Sequence, residues 1–411
     1  MGLKKIVLIT TGQPSVNPRI VKEATALHTA GFDVTVLFCF FIDWAADKDK
    51  ELLQEVSWKY QLVGGSPASK SGLYFFTRLR NKTAVLLNRY LGNRFLLAER
   101  TQARAYDELL KAAKKIKASW YIGHNLGALP VAVKASRYNN AKAGFDFEDY
   151  HRGELLSSAT IDLKRLTYLE NKYLPSLNYF SGSSTMITKA VQKDHPGFKG
   201  QVITLMNCFP LAQQHPFKEK AEGDKTLQLF WFSQTIGINR GLEQLVDAMQ
   251  LLNDPSVHLT LAGRYDEAMM QYIQKHAGDV MGNIHFAGIL SPDELPLFAS
   301  KFDVGMALEL MAPENRNLCL TNKIFIYLLA GNAMILSATA MQRAFNEEYK
   351  VGEIVQLNEV NALIEKIIMY KNREKLEAQR RYNYVLAKKE MNWEQENQKI
   401  STLLIQSFGE S

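Results

Sequence analysis

Two cationic residues in the second half of the chain lie where they could hold an anion. Arg240 stands at the predicted start of a helix, after a loop predicted over 233–239 that contains Gly237. Backbone N–H groups at a helix start, together with a guanidinium, suit a diphosphate. Lys323 follows Asn322 in the first turn of another predicted helix, where a cation opposes the helix dipole. We therefore predict a diphosphate site, with ordinary surface cations as the alternative. Its residues are Gly237, Arg240, Asn322 and Lys323.

Titratable side chains stand at the carboxyl ends of two predicted strands in the first half of the chain. His124 comes after a short strand at 121–123, and Asp146 lies in a strand predicted over 143–147. The carboxyl end of a parallel strand faces the ligand side of the sheet. A histidine there could donate to a sugar hydroxyl or to a developing charge, and the aspartate could contact a polar acceptor. We predict that both are catalytic; a structural histidine and a helix-capping or surface-paired aspartate are the alternatives.

Four more residues are candidates for contacts to the rest of such a ligand. Glu309 and Glu314 follow a strand predicted over 304–308, and carboxylates there could accept hydrogen bonds from ribose or sugar hydroxyls. Gly12 and Gly263 stand at the ends of two other predicted strands. We assign all four to the nucleotide and sugar of a donor. For the two carboxylates, plain surface positions are the alternative.

The sequence contains one candidate metal motif. Asp47–Lys48–Asp49 has the Asp-x-Asp pattern that can clamp a metal ion on a diphosphate, but it falls in a charge-rich segment predicted to be a loop, which favours solvated surface. No GxGxxG follows the first strand, and GxxxxGK[ST], HExxH and GxSxG do not occur. We therefore predict no metal and no cofactor, with cationic side chains and helix starts neutralising the phosphate.

Composition places the chain among ordinary globular proteins. Its 411 residues predict about two or three domains, and 46% hydrophobic with 22% charged residues argues against disordered and fibrous classes. The longest apolar run, Val34–Ile42, is too short to span a bilayer. The cysteines form no CxxC, which predicts neither a disulfide framework nor a cysteine zinc site. We expect MGLKKIVLIT to be a first strand rather than a signal peptide, and we predict a cytoplasmic location.

Positive charge is concentrated in the first half of the chain. Residues 1–208 carry 29 Lys and Arg against 17 Asp and Glu, a net charge of +12, whereas residues 209–411 carry 20 against 25. The stretch 70–117 has 12 basic and 3 acidic residues, interleaved with leucine and aromatic side chains. It could rest on an anionic membrane surface, bind nucleic acid, or be a helix with an ordinary solvated face. We predict no nucleic-acid partner and keep peripheral binding to the inner face of a membrane as a hypothesis.

The elements that must position these residues repeat along the chain. A strand, a helix opened by Asn17 and Pro18, and a second strand form a βαβ unit over 5–40. The same succession recurs over 227–262, with Arg240 near the start of its helix. We call these two βαβ units the βαβ openings of the chain. Because each of them starts a new parallel sheet, they predict an α/β chain with two Rossmann-like domains of similar size.

Three segments that carry candidate residues resemble family 4 of the retaining nucleotide-sugar glycosyltransferases. The most specific is LTNKIFIYLLAGNAMILS, which is similar to the family's Leu-Pro-Asn-Lys-x-x-Glu-Tyr-x-x-x-Gly-x-Pro segment. The matching positions here are Asn322, Lys323, Tyr327 and Gly331. SQTIGINRGLEQLVDAM resembles the family's phosphate loop, with Arg240 in place of Lys. HNLGALP resembles its His-Asp-x-x-x-Leu-Pro segment, with His124 in place.

Further segments extend the resemblance over nearly the whole chain. FDFED, with Asp146, is similar to the family's Tyr-Asp-x-His-Glu segment, and VITLMNCFPL to its interdomain crossing. MNWEQENQKISTLL resembles its final helix. The resemblance implies the GT-B fold, two Rossmann-like domains facing a central cleft. It places an acceptor domain at 1–206, a nucleotide-sugar domain at 207–390, and a last helix, 391–411, that packs on the first domain.

The resemblance also implies an activity. A retaining, metal-independent glycosyltransferase would move a sugar from a nucleotide-sugar donor to a glycan or lipid-linked acceptor. Two positions depart from the family pattern: Ile326 replaces a glutamate that holds the ribose, and Gln234 replaces an arginine at the diphosphate. They keep open a second hypothesis, a non-catalytic GT-B scaffold or regulatory partner of another glycosyltransferase. A sugar-nucleotide epimerase is a third.

Overall fold

Two compact units make up the protein in a computed structural model that describes residues 4–155 and 160–409. The first unit runs to Leu205 and resumes at Asn397, and the second runs from Met206 to Glu396. Each unit is built around one parallel β-sheet, so the two Rossmann-like domains predicted from the repeated βαβ openings are confirmed.

The first unit holds, within the described residues, a seven-stranded sheet in the order β3-β2-β1-β4-β5-β6-β7. Its strands are β1 (Lys5–Thr10), β2 (Asp33–Cys39), β3 (Lys59–Val63), β4 (Trp120–His124), β5 (Lys142–Phe147), β6 (Tyr179–Gly182) and β7 (Gln201–Thr204). Its helices are α1 (Pro18–Thr29), α2 (Asp43–Glu55), α3 (Ser71–Leu91), α4 (Leu97–Gln102), α5 (Tyr106–Lys115), α6 (Leu129–Tyr138), α7 (His151–Glu154), α8 (Thr160–Tyr173) and α9 (Thr185–Asp194). Short 3-10 turns cover Pro14–Val16 and Leu174–Ser176.

The second unit holds, in the part of the chain that the structure describes, a six-stranded sheet in the order β10-β9-β8-β11-β12-β13. Its strands are β8 (Leu227–Ile236), β9 (Val257–Tyr265), β10 (Ile284–Gly288), β11 (Val304–Ala307), β12 (Ala333–Ser337) and β13 (Glu353–Val355). The remaining helices are α10 (Leu242–Leu252), α11 (Glu267–His276), α12 (Leu295–Ala299), α13 (Glu314–Leu318), α14 (Asn322–Ala330), α15 (Ala340–Tyr349), α16 (Val360–Met369), α17 (Arg373–Lys389) and α18 (Trp393–Gly409). The 3-10 turns are Leu211–Gln213 and Gly278–Asn283.

The first sheet is buried on both faces, because successive residues of a strand point to opposite sides. Ile6 and Leu8 of β1 belong to one hydrophobic core, and Val7 and Ile9 belong to another. The first of these cores also contains Ile400, Leu403 and Leu404 of α18. The end of α18 therefore covers one face of the first sheet.

The predicted start of α1 is confirmed in detail. Asn17 caps the helix, because its side-chain oxygen accepts a hydrogen bond from the backbone N–H of Ile20 at 3.2 Å. Pro18 occupies the first helical position, where its missing N–H costs nothing. The buried face of the helix includes Ile20, Ala24 and Leu27, which join the core against β1.

The prediction of a loop over 233–239 is wrong for residues 233–236, which belong to β8. β8 continues to Ile236, because after an irregularity that follows Phe232 it pairs with β9 again. The renewed pairing matches Thr235 with Arg264 and Ile236 with Tyr265. The strand therefore carries the chain further than its apolar run indicates.

The predicted solvated loop at Asp47–Lys48–Asp49 is also wrong, because these residues lie within α2. Asp47 is exposed, but Asp49 is buried. One oxygen of Asp49 accepts a hydrogen bond from the Gln13 side-chain amide at 2.7 Å, and the other accepts one from the backbone N–H of Ser15 at 2.9 Å. Asp49 therefore ties α2 to the turn after β1.

None of the helices in the described residues combines the length and the hydropathy that a bilayer span requires.

Candidate functional site

In the second unit the carboxyl ends of β8 and β11 meet where the strand order reverses. From β8 the chain builds outward through β9 and β10 on one side, and then through β11, β12 and β13 on the other. Ligands of open parallel sheets bind beyond the strand ends at such a point. Gly241, just before α10, has a φ of +79°, and a Cβ there would lie 3.0 Å from the Cβ of Leu308. Glycine thus lets the start of α10 approach the end of β11 closely.

Arg240 lies next to Gly241, at the start of α10 and beside the end of β11. Its side chain is half-buried, and one guanidinium nitrogen donates to the hydroxyl of Ser233 at 3.3 Å. Arg240 forms no ion pair with any residue that the structure describes, so no carboxylate among these residues balances its charge. A guanidinium beside a strand end, with a neutral partner, is well suited to an incoming phosphate.

A second arginine, which the sequence did not single out, approaches the same loop. Arg316 of α13 donates to the backbone oxygen of Asn239 at 3.2 Å. The backbone N–H of Asn239 in turn donates to Glu243 at 2.5 Å, which closes the first turn of α10. Arg316 is distant in sequence from Arg240, and the signal that could have found it is its place just after β11, at the same edge of the sheet.

Lys323 and Glu309, which the sequence assigned to different parts of the ligand, form one buried pair. The Lys323 ammonium lies 2.5 Å from a Glu309 carboxylate oxygen, and both side chains are 7% exposed. The ammonium also lies 5.1 Å from the centre of the Trp231 ring. The backbone N–H of Glu309 donates to the Ser337 hydroxyl at 2.7 Å, which fixes the start of the loop. The charge of Lys323 is therefore already balanced, in contrast to that of Arg240.

The other residues predicted for the donor lie in different environments. Asn322 and Glu314 are exposed, at the first positions of α14 and α13. The side-chain oxygen of Asn322 accepts a hydrogen bond from the Asn207 amide at 2.8 Å. Ile326 is completely buried, so this position of α14 presents no surface to a ligand as well as no hydrogen-bond acceptor.

Two of the predicted glycines differ in what their backbones require. Gly263 has a φ of +147°, and a Cβ there would lie only 2.3 Å from the backbone oxygen of Ser233. Gly263 is therefore required by the structure, because β8 and β9 approach each other too closely there for a side chain. Gly237 is buried, but a Cβ there would meet no atom closer than 3.7 Å. Its lack of a side chain is not explained by packing.

In the first unit, His124 ends β4 inside a cluster of charges. Its Nε2 lies 3.2 Å from Glu23 of α1, and its Nδ1 lies 3.3 Å from Glu148 and 3.6 Å from Asp146. Burial acts to lower the pKa of His124, but Glu23, Glu148 and Asp146 outweigh it and raise the pKa to about 10. The ring is therefore an imidazolium at neutral pH, and it has no exposed surface.

Asp146 is held by an arginine that the sequence did not single out. Arg19 of α1 donates to both carboxylate oxygens, at 2.5 and 2.8 Å, and Ser181 donates to one of them at 2.5 Å. Burial acts to raise the pKa of Asp146, but Arg19 and His124 outweigh it and hold the pKa below its ordinary value. Neither Arg19 nor Asp146 is exposed enough to contact a bound sugar directly.

Glu148 is the end of this cluster that solvent reaches. Its side chain is 27% exposed, and its Oε1 accepts a hydrogen bond from the Asn17 amide at 2.6 Å. The ligand atoms of His124, Asp146 and Glu148 lie within 4.8 Å of one another, close enough to share a metal ion. Arg19 already donates to both oxygens of Asp146, so a metal ion would have to compete with this ion pair, and these side chains fit a metal poorly.

Gly12 lies at the carboxyl end of β1. Its backbone N–H donates to the Thr10 hydroxyl at 3.2 Å, and its oxygen accepts from the Cys39 N–H at 3.1 Å. Asn125, with a φ of +60°, accepts hydrogen bonds from Thr11 and donates to Thr10 at 2.8 Å. The ends of β1 and β4 are thus tied together where the order of the first sheet reverses.

No protein-family model matches the sequence, and no curated protein matches it. Solved structures match it over nearly its full length. HepE from Anabaena, in complex with UDP and glucose, has a TM-score of 0.68 at 16% identity, with 98% of this chain and 100% of that chain covered. Sucrose-phosphate synthase from Thermosynechococcus elongatus has a TM-score of 0.70 at 14% identity, covering 99% and 100%. A point mutant of TarM from S. aureus, in complex with Fondaparinux, alpha-GlcNAc-glycerol and UDP, has a TM-score of 0.66 at 10% identity, covering 98% and 99%.

These matches confirm the predicted fold. The chain has the GT-B architecture of two Rossmann-like α/β domains, shared along its length with these structures.

Proposed function

We propose that the protein is a glycosyltransferase that takes its sugar from a nucleotide-sugar donor bound by the second unit. The observation that carries the proposal is the close approach of α10 to the end of β11, where Arg240 stands beside Gly241 with a hydroxyl as its partner. A structural neighbour, HepE, has been solved in complex with UDP-glucose, and this supports a donor of that class.

The proposed chemistry is stabilisation of a leaving diphosphate. Negative charge grows on the diphosphate as the bond to the sugar breaks, and fixed cations lower the energy of that state. Arg240 and Arg316 are the cations at the start of α10, and Gly237 leaves room there. We propose that Asn322, exposed at the start of α14, donates to the same group.

Lys323 and Glu309 are proposed to act as a unit. Glu309 accepts one hydrogen of the Lys323 ammonium, and an ammonium has three to donate. The remaining hydrogens could reach a phosphate, while the second oxygen of Glu309 could accept from a sugar or ribose hydroxyl. We propose Glu314 and Gly263 as further contacts on the nucleotide side, since Ile326 is buried and offers none.

His124 and Asp146 are proposed to position rather than touch the reacting groups, because neither has exposed surface. The imidazolium of His124 orients Glu148, and the Arg19–Asp146 pair holds the imidazolium in turn. Glu148 and the turn at Gly12 are what this part of the first unit offers to an acceptor. We propose that the acceptor is a glycan or is lipid-linked, and that transfer is metal-independent with retention at the anomeric carbon. We also propose that the protein is located in the cytoplasm, at the inner face of a membrane.

The proposal is tested by thermal unfolding of the purified chain with UDP, GDP, ADP and their sugar nucleotides. A ligand that binds only the native state raises the unfolding temperature, so one nucleotide should stabilise the chain and its sugar form should do so more. Release of nucleoside diphosphate from that sugar nucleotide, followed with candidate acceptors, then tests transfer. The anomeric configuration of the product, read by NMR, tests retention.

A non-catalytic GT-B scaffold or partner of another glycosyltransferase is the second candidate. It is favoured by the burial of Ile326 and by the Glu309 carboxylate that already neutralises Lys323. The two candidates predict different outcomes in the unfolding experiment. A chain that no nucleotide stabilises at millimolar concentration would support the scaffold and sink the enzyme.

A further inference from the structure

The longest helix of the first unit leaves an apolar stripe in solvent. α3 turns Tyr74, Thr77, Ala84 and Asn88 inward, where they are buried. On its outer side lie two groups of large apolar side chains, one at 75–79 and one two turns later at 86–90, which are between 39% and 79% exposed. These are Phe75, Phe76, Leu79, Leu86, Leu87 and Tyr90, which we call the α3 stripe. Several large apolar side chains exposed on one face of a helix indicate an interaction site.

The basic residues of α3 divide into two groups on the two edges of the stripe. Arg80 is already paired with Asp107 at 3.2 Å and with Glu108 at 2.5 Å, so it does not need another anion. Arg78, Lys82 and Arg89 follow one another at helical spacing along the other edge. None of these three forms an ion pair within the described residues. One edge of the stripe therefore presents a row of cations without counter-ions.

The same edge of α3 forms a wall of a cavity of about 540 Å³ in the first unit. Arg78, Lys82 and Tyr74 line it from the helix, and Phe40 and Phe41 line it from the end of β2. Arg104 is fixed in the cavity wall, because it donates to the backbone oxygens of Gly64 at 2.8 Å and of Phe40 at 3.2 Å. Arg78 and Lys82 thus belong both to the cavity and to the unpaired row.

We propose that the α3 stripe docks the first unit on an anionic lipid bilayer. The stripe would enter the boundary between headgroups and acyl chains, and Arg78, Lys82 and Arg89 would meet lipid phosphates. Charge complementarity favours this occupant, because the stretch 70–117 has 12 basic and 3 acidic residues. Leucines make up half of the stripe, which suits acyl chains better than the base stacking that single-stranded nucleic acid needs.

Docking in this way also indicates the class of acceptor. The cavity shares Arg78 and Lys82 with the docking row, so it would lie at the level of the lipid headgroups. A lipid-linked acceptor with a phosphate would then reach the cavity without leaving the bilayer. This step rests on the proposed glycosyltransferase function, whereas docking itself does not.

The test is co-sedimentation of the full chain with vesicles of phosphatidylcholine, with and without phosphatidylglycerol. The wild-type chain should bind the vesicles with phosphatidylglycerol, and less so as salt rises. Replacement of Arg78, Lys82 and Arg89 by glutamine should weaken binding by roughly 100-fold, since each cation contributes to attraction to the surface. The control replaces Lys111, Lys115 and Lys117 by glutamine, which removes the same charge from the same basic stretch but not from α3. Vesicle binding by the control should weaken much less.

A second variant tests the apolar part, and nucleotide binding separates the two proposals. Leu79→Ser with Leu86→Ser alters exposed side chains, so the fold should survive, while binding to the anionic vesicles should be lost at raised salt. Three results would each overturn the proposal. They are an equal loss of vesicle binding in both glutamine variants, unchanged vesicle binding by the serine variant, and equal binding of the wild-type chain to neutral and anionic vesicles. Nucleotide binding by the Arg78, Lys82 and Arg89 variant should be unchanged, so a failure of docking is distinguishable from a failure of the donor site.

Discussion

The charges around His124 in the first unit and those around Arg240 in the second are arranged in opposite ways. Arg19 and His124 are buried, and each faces carboxylates within hydrogen-bonding distance. Arg240 is half-buried and has a hydroxyl as its partner. Removing one partner of a buried ion pair leaves the other charge buried and uncompensated, whereas a half-buried cation without a counter-ion is free to bind an anion. The partner of a charge, more than its residue type, therefore separates the two roles.

Lys323 lies between these two cases. It is buried and paired, as in the first unit, but it stands at the start of α14 in the second unit with Glu309 as its partner. A ligand at Lys323 must therefore accommodate Glu309 as well, and the two residues cannot be altered independently. This coupling makes Arg240 the cleaner probe of the donor site.

The largest effect should come from breaking the buried pair of the first unit. Arg19→Ala leaves the Asp146 carboxylate buried without its main counter-ion, which should lower the free energy of unfolding by about 3–5 kcal/mol. The matched control is Lys59→Ala, whose pair with Asp33 at 2.8 Å involves an exposed lysine and should cost less than about 1 kcal/mol. Urea unfolding of both variants measures the difference. A loss for Arg19→Ala no larger than that of the control would break the comparison.

The pH dependence of stability should reveal the charge on His124. Its pKa in the folded chain is raised from 6.5 to about 10, so the protonated ring stabilises the fold fully below pH 6.5. That stabilisation is lost as the pH rises through about 10, with a slope of about 1.4 kcal/mol per pH unit between the two values. Unfolding free energies of the wild type and His124→Gln, measured over this range, should converge with rising pH. Parallel curves would show that the ring is neutral in the fold.

Two glycines of the second unit test whether packing requires a residue without a side chain at each position. Gly263→Ala would place a Cβ 2.3 Å from the Ser233 oxygen, so it should lower the free energy of unfolding by about 1–3 kcal/mol. Gly237→Ala meets no such contact and should stay within about 0.5 kcal/mol of the wild type. Thermal unfolding of the two variants checks this. Comparable losses at both positions would mean that Gly237 is also required for packing.

Much of the fold follows from local pattern, while the site depends on contacts between distant segments. The cap at Asn17 and the βαβ openings were predictable, because periodicity and capping are local. The sequence does not indicate the end of β8, since its last residues pair with β9 only after an irregularity. The sequence predicts Asp49 in solvent, because its partners Gln13 and Ser15 lie on another element.

The candidate site shows the same limit. The positions of Arg240 and Lys323 at helix starts were predictable from the sequence, but their partners were not. Arg19 and Glu23 reach His124 and Asp146 across the packing of α1 on the sheet, and Glu309 reaches Lys323 from the end of β11. A sequence pattern indicates where charge is located, and tertiary packing decides whether that charge is already balanced.

Calorimetry with a nucleoside diphosphate tests the donor site most directly. The nucleotide that stabilises the wild-type chain should bind Arg240→Ala about 10- to 150-fold more weakly, because a charged hydrogen bond to phosphate contributes about 1.5–3 kcal/mol. Lys275→Ala, which removes an exposed cation from the last turn of α11, should bind as the wild type does. Equal affinity in all three proteins would contradict a diphosphate site at Arg240.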